Sequence, residues 1–248
     1  MKKFFKTVLK YYLKFITKLV LLIHRPTVIA IAGSTNKAFL KKEVKTVLED
    51  LKKTVRANPK NFNTEIGLPL AILYLPSGYN EYKNWLPAML KAPLIIFQKN
   101  FPKYLVLSLG TSDSGDMKYL LSIVRPQISI ITDITQRYLE GYNDMDNLVD
   151  EYRILSGKTR NLLILNNDNP RVRSLKNSVS GKVRVKTLGE NTESDYIIKD
   201  IQREKDGENF LLQSRQGEKK HKLKRFGKHH IYARGFGLII KDYLEKHG

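Results

Sequence analysis

The chain has no cysteine, so neither a disulfide nor a thiolate metal site is open to it. That fits a reducing cytoplasm without requiring one, since exported proteins also do without cysteine. Its first 25 residues hold no apolar run long enough to cross a bilayer. Crossing takes about 20 apolar residues, whereas the longest run there is Leu19 to Ile23, and no small-residue cleavage site follows it. The chain is also short of acid. Against 44 Lys and Arg stand 24 Asp and Glu, a formal charge of +20. Residues 1–25 carry seven basic residues and no acid, and residues 215–230 carry seven against Glu218, so two short stretches hold thirteen of the twenty net charges. Such clusters attract phosphates of any kind, nucleic acid and anionic lipid alike.

What is present is enough for a sizeable core. With 248 residues, 42% of them hydrophobic, the chain suits one α/β domain of about 220 residues plus an appendage. We divide it into a cationic amphipathic helix over 1–25 and a domain over 26–248. In the helix Lys2, Lys6, Lys10, Lys14 and Lys18 recur every four residues, which makes a slowly drifting stripe on an otherwise Phe, Tyr, Leu, Ile and Val surface. We read it as a helix lying in the interface of an anionic membrane. Packing on the domain or on a partner, or an atypical signal segment, are the alternatives. Pro26 ends it.

The β-branched run Val28–Ala32 ends in Gly33-Ser34-Thr35-Asn36-Lys37, and Leu40, Val44, Val47, Leu48 and Leu51 then recur with helical spacing. Strand, tight loop and helix in that order build an anion site. The helix start presents unpaired N–H groups and about half a positive charge, and a lysine there reaches a β- or γ-phosphate. The usual Gly-Lys-Ser/Thr ending supplies a glycine for left-handed backbone and a hydroxyl for Mg²⁺. Here those places are Asn36 and Ala38. Asparagine tolerates left-handed backbone, so the turn is expected to survive; alanine cannot ligate a metal. On the residues alone, a phosphate site and an ordinary strand-to-helix turn both stay open.

Beyond the loop, Val55–Leu73 reads as an Asn-rich turn leading into a helix, and Tyr79–Phe97 as a helix interrupted at Pro87 and Pro93. Tyr104–Gly110, Ile128–Asp133 and Asn161–Asn166 read as strands separated by helical segments, with Ser112–Asp116 capping the helix after the first of them. This alternation predicts an α/β fold with a mostly parallel sheet, helices on both faces and a ligand edge at the strand C-termini, where Gly33, Gly110, Asp133 and Asn166 fall. Over 182–226 the rhythm changes to short antiparallel strands with Asp206-Gly207 and Gln216-Gly217 turns, followed by a helix from about His229 to Lys246.

Six stretches, in the same order, resemble the central ATP-binding domain of the Mur ligases, within that family the branch that adds D-alanyl-D-alanine to UDP-N-acetylmuramoyl-tripeptide. They are Ile29–Lys37, Asn61–Pro69, Val106–Gly110 with Gly115–Leu120, Ile131–Ile134 with Leu139-Glu140, Leu165–Val172, and Gly227–Tyr232. The resemblance spans about 26–248. It implies ATP as cofactor, bound through Gly33, Ser34, Thr35, Asn36 and Lys37 and, on the adenine side, through Asn166 and Asp168. Glu140 and His229 stand where the family keeps catalytic residues.

The match departs from the family in its metal chemistry. The Mg²⁺-binding hydroxyl is Ala38, the acidic ligand of the family's Leu-Glu-Met-Gly strand is Ser108, the histidine of its His-Leu-Glu pattern is Tyr138, and its carbamylated lysine aligns with Tyr152. In the closing Gly-x-His-Asn motif the asparagine is His230, and a later asparagine is Ala233. The family's N-terminal UDP-sugar domain and its C-terminal domain find no match in the sequence. Acyl-phosphate ligases need metal ions to offset charge between the attacking carboxylate and the γ-phosphate. The expectation is therefore a degenerate Mur-ligase-like nucleotide- or phosphate-binding protein, peripheral at the cytoplasmic face of the membrane and linked to peptidoglycan precursor metabolism. It binds ATP weakly, holds Mg²⁺ poorly and does not ligate by itself. Its partners are an anionic membrane surface through residues 2–25 and, as a further candidate, a cell-wall ligase or other protein chain. An active ATP-dependent amide ligase and a basic nucleic-acid-binding protein are the alternatives, the last on charge alone, without a stacking motif or reading helix.

Overall fold

The computed structural model describes residues 3–59, 62–78 and 82–247. Lys2 of the lysine stripe, Asn61 and Tyr79 lie outside the described residues, as does the side chain of Tyr138. The chain runs through α1 (Lys3–His24), β1 (Thr27–Ala32), α2 (Lys37–Asp50), β2 (Val55–Ala57), α3 (Gly67–Leu73), α4 (Tyr82–Lys91), β3 (Tyr104–Ser108), α5 (Asp116–Leu121) and β4 (Ile128–Ile131). It continues through α6 (Met145–Lys158), β5 (Leu162–Asn166), α7 (Pro170–Ser174), β6 (Arg184–Gly189), β7 (Tyr196–Glu204), β8 (Gly207–Ser214), β9 (Gly217–Leu223) and α8 (Lys228–His247).

The strands form one sheet in the order β2-β3-β1-β4-β5-β6-β7-β8-β9. Its central strands are continuous apolar runs because both faces are covered. Along β1, Val28, Ala30 and Ala32 face a core shared with α5, α6 and α7, while the alternate Ile29 and Ile31 face a second core shared with α2 and α8. The predicted α/β class, the mostly parallel sheet and the helices on both faces are all present.

The antiparallel part is narrower than 182–226. β6 pairs parallel with β5, and β7 begins parallel to β6; only β8 and β9 are antiparallel additions. The reason is the crossover through α7 between β5 and β6, which returns the chain in the same direction. At the far side of the sheet β9 is an edge strand.

Two local expectations need correction. α4 runs through Pro87 instead of breaking there, because Trp85 and Ala88 are buried in a core with α1 and α3 and this packing outweighs one forfeited backbone bond. A 3₁₀ segment, Ala92–Phe97, then carries Pro93 in its first turn. The Ser112–Asp116 stretch makes no side-chain cap for α5. The Asp116 carboxylate instead accepts the Ser112 and Asp113 N–H groups of the preceding turn. The cap comes from α6, whose buried Glu151 carboxylate accepts the N–H groups of Gly115 at 2.7 Å and Met117 at 2.6 Å.

Of the readings offered for residues 1–25, packing on the domain is realised on one side of α1. Leu9, Leu13, Ile16 and Val20 are buried against α3, α4 and the 3₁₀ segment, and the Tyr12 hydroxyl donates to the Met89 carbonyl at 2.7 Å. Three stripe lysines meet the body: Lys6 pairs with Glu65 at 3.1 Å, and Lys10 and Lys14 lie over the Tyr119 ring. No helix among the described residues is long and apolar enough to cross a membrane.

Candidate functional site

The loop between β1 and α2 keeps the shape its sequence left in question. Asn36, just ahead of α2, takes the left-handed conformation at φ 61°. Gly33 sits at φ 137°, where a β-carbon would come within 2.1 Å of the Thr132 hydroxyl, so only glycine fits. The loop is laced to the end of β4. Ser34 donates its N–H to the Asp133 carbonyl at 2.8 Å, its hydroxyl accepts the Thr135 N–H at 2.9 Å, and Thr132 donates its hydroxyl to the Thr35 carbonyl at 3.0 Å.

Charge in the loop is balanced from within the chain. The Thr35 N–H donates to one Asp133 carboxylate oxygen at 2.8 Å, and its hydroxyl donates to the other. Lys37 turns back to donate to the Gly33 carbonyl. Burial lowers its pKa, the Asp133 charge works against that shift, and Arg137 adds to it. The loop thus holds an anion already, as a side chain.

Beside it lies a cavity of about 210 Å³. Asn36, Thr132, Asp133, Asn166, Lys228, His229 and Tyr232 line it above an apolar floor of Leu40, Ala233 and Phe236. It is smaller than the roughly 300–1,000 Å³ of a whole-ligand pocket, so it suits one part of a nucleotide. His229 packs on Phe39 and His230, with ring centroids 4.5 and 4.2 Å away. Burial first, then His229 and Arg225, push the His230 pKa down. Lys228 pairs with Glu190 at 2.8 Å, which raises its pKa.

The sequence-derived residues divide accordingly. Asn36, Asn166 and His229 meet at the cavity, with Gly33, Ser34, Thr35 and Lys37 in the adjoining loop. Asp168 is a tie between elements. Its carboxylate accepts the Glu190 and Asn191 N–H groups, each at 2.9 Å, and the Tyr232 hydroxyl, whose pKa rises through burial and that bond. Glu140 is exposed on the 3₁₀ segment Gln136–Gly141 and does not line the cavity. Asp133, Lys228 and Tyr232 complete the site. The strand-edge argument located Asp133, but nothing in the sequence indicated that it would hold the loop amide.

Where the resemblance puts the family's acidic metal ligand, Ser108 and Asn58 make a neutral pair, and the Asn58 amide also donates to the Phe62 carbonyl at 2.8 Å. The Asn58 amide donates to the Ser108 hydroxyl at 3.0 Å, and the Ser108 N–H donates back to the Asn58 carbonyl oxygen at 2.9 Å. The Lys41 ammonium donates to the Asn58 backbone carbonyl. Among the described residues no three His, Asp or Glu side chains come together in a way that could hold a metal ion. Mg²⁺ is usually held through one or two carboxylates, and the Ser108–Asn58 pair supplies none.

Residues 27–233 match the model of the Mur ligase middle domain. The chain is 26% identical over 187 residues to the UDP-N-acetylmuramoyl-tripeptide--D-alanyl-D-alanine ligase of Bacillus subtilis, covering 75% of this chain and 35% of that protein. To the enzyme of the same name from Escherichia coli it is 25% identical over 207 residues, covering 82% and 40%. The chain therefore spans well under half the length of these relatives. In fold it is similar to MurF from Acinetobacter baumannii (TM-score 0.74, 17% identity, 94% of this chain and 46% of that one). MurF ligase from Thermotoga maritima, whose structure contains ADP, is similar at TM-score 0.71 and 18% identity, over 93% and 49% of the two chains.

Proposed function

The chain belongs to the Mur ligase family, and we propose that it binds a nucleotide or phosphate weakly through Gly33–Lys37 and does not ligate by itself. In this reading it is linked to peptidoglycan precursor metabolism and works at the cytoplasmic face of a membrane. The observation that carries the proposal is the contrast between the two halves of the site. The phosphate side retains its glycine, its left-handed turn at Asn36 and its lysine at the helix start, whereas the metal side is the neutral Ser108–Asn58 pair.

An anion entering the loop takes over the Thr35 amide from Asp133, and Lys37 leaves the Gly33 carbonyl to meet it. Asn166 and the apolar floor of Leu40 and Phe236 are positioned for a base or sugar beside it. Each of these exchanges gives up a bond already made, so the net gain is small and the affinity low. The surface location is supported by the lysines of α1 and by its exposed aromatic side chains.

Titration calorimetry with ATP and ADP, with and without Mg²⁺, tests the proposal. The expected result is sub-millimolar to millimolar binding, unchanged by Mg²⁺ and abolished in Lys37→Ala. No binding at millimolar nucleotide would overturn it, and so would Mg²⁺-dependent release of ADP with a new amide product.

A further inference from the structure

α1 has two apolar faces, and only one of them is used by the fold. Leu9, Leu13, Ile16 and Val20 are buried. Phe4, Val8, Tyr11, Phe15 and Leu22 recur at steps of three, four or seven, share the opposite face, and are 80, 45, 60, 60 and 65% exposed. Five large side chains in one row do not remain in water without a reason, since scattered exposure is normal but a continuous apolar stripe marks a contact surface.

The stripe runs into a groove of about 660 Å³ at the end of the sheet opposite the Gly33 loop. Phe15 and Leu22 belong to both, and the groove is completed by Lys18, Arg25, Arg125 and Arg160. Its other walls are mainly apolar, and no Asp or Glu lines it. Lys18, Arg25, Arg125 and Arg160 are exposed, and among the described residues none of them is in an ion pair. These four cations come from the helix, the turn after it, and the turns that precede β4 and β5. The groove lies at the start of β1 and β4, where the Val28 N–H donates to Gln127, whereas Gly33 follows the end of β1. A strand of this length separates the two sites by about 20 Å.

We infer that this groove seats the headgroup of an anionic phospholipid in a bilayer surface, with the outer stripe of α1 buried among the acyl chains beside it. The inference rests on the membrane-surface reading above and makes it specific. A soluble anion would use the cations and leave the apolar row uncovered. Nucleic acid would do the same. A lipid surface satisfies both, because an interfacial helix buries its apolar face by several ångströms while basic side chains meet phosphates at the same depth. Lys14 lies in the same basic row: burial first, then the neighbouring Lys18 and Lys10, lower its pKa.

The test is sedimentation of the full chain with phosphatidylglycerol–phosphatidylcholine vesicles at low salt. Arg125 and Arg160 are the decisive positions, because they lie on the body and not on the helix. Each cation near such a surface contributes about fivefold to partitioning, so Arg125→Gln with Arg160→Gln should reduce binding more than tenfold, with an unchanged thermal melt. Lys205→Gln with Arg215→Gln, exposed in the β7–β8 and β8–β9 turns away from the groove, should leave binding within about twofold. If the unmodified chain does not sediment, the surface reading falls and this inference with it. If it sediments and the two arginines do not matter, or Lys205 and Arg215 matter as much, the groove assignment is overturned while the surface reading stands. Self-association lost in Phe15→Ser, without vesicle binding, would assign the face to a second copy and overturn both.

Discussion

The Asp133 carboxylate accepts the Thr35 N–H at 2.8 Å, in the Gly33–Lys37 loop that the proposed function gives to a phosphate. A side chain just past the end of β4 therefore competes with any incoming anion, both for the hydrogen and through its charge. Asp133→Asn keeps an oxygen for the Thr35 N–H and removes the charge. Removing a like charge at this range is worth about 1–2 kcal/mol, so ATP or inorganic phosphate should bind the variant roughly tenfold more tightly. Calorimetric titration measures it; unchanged or weaker affinity would mean that Asp133 does not face the ligand.

Ala38→Thr should not create a ligase. The new hydroxyl leaves Ser108 committed to Asn58, and groups that act as a unit are strongly non-additive. With UDP-muramoyl-peptide and D-alanyl-D-alanine supplied, ADP release should stay at background in both the native chain and the variant. A tenfold rise in the variant would show that one missing ligand is the whole deficit.

Glu151→Ala should be costly although Glu151 lies outside the candidate site. The carboxylate holds two amides at the start of α5 from within the core, and their loss costs about 3 kcal/mol, which lowers Tm by roughly 6–12 °C in a chain of this size. Thermal denaturation checks it. Glu151→Gln, which keeps one acceptor oxygen, should fall between the two.

Stability should decline as pH falls from about 7 to 5. Burial lowers the pKa of His221, helped by Arg234 and Lys219, and burial also lowers that of His230, helped by His229 and Arg225. The unfolded chain then takes up protons near the ordinary histidine value of about 6.5, before the folded chain does, so falling pH favours unfolding across that window. The double variant His221→Gln, His230→Gln should flatten the slope in urea midpoints measured between those pH values.

The fold was legible wherever burial left continuous apolar runs or a helical spacing in the sequence. The apolar runs at 28–32, 104–108, 128–131 and 162–166 could be placed because a strand covered on both faces has nothing to alternate with. What could not be read were choices made by distant partners. The cap of α5 comes from Glu151, 34 to 36 residues away. Asp168 reads as a ligand residue in sequence, yet its three donors come from the β6–β7 connection and α8. The survival of the turn at Asn36 could be argued from one residue, since left-handed backbone is a local property. Likewise the two apolar faces of α1 follow from its sequence, but only packing shows which of them is covered.

The edge strand β9 gives the second basic cluster a role that needs no ligand at all. Gly217–Leu223 ends the sheet, with Lys219, Lys220 and Lys222 exposed along it, whereas the strand at the other edge, β2, is three residues long. A long open edge is a template on which a second chain can add a strand, and lysines along it make that addition repulsive. Much of the positive charge of residues 215–230 thus acts against aggregation, and neutralising those lysines should be felt first as lost solubility.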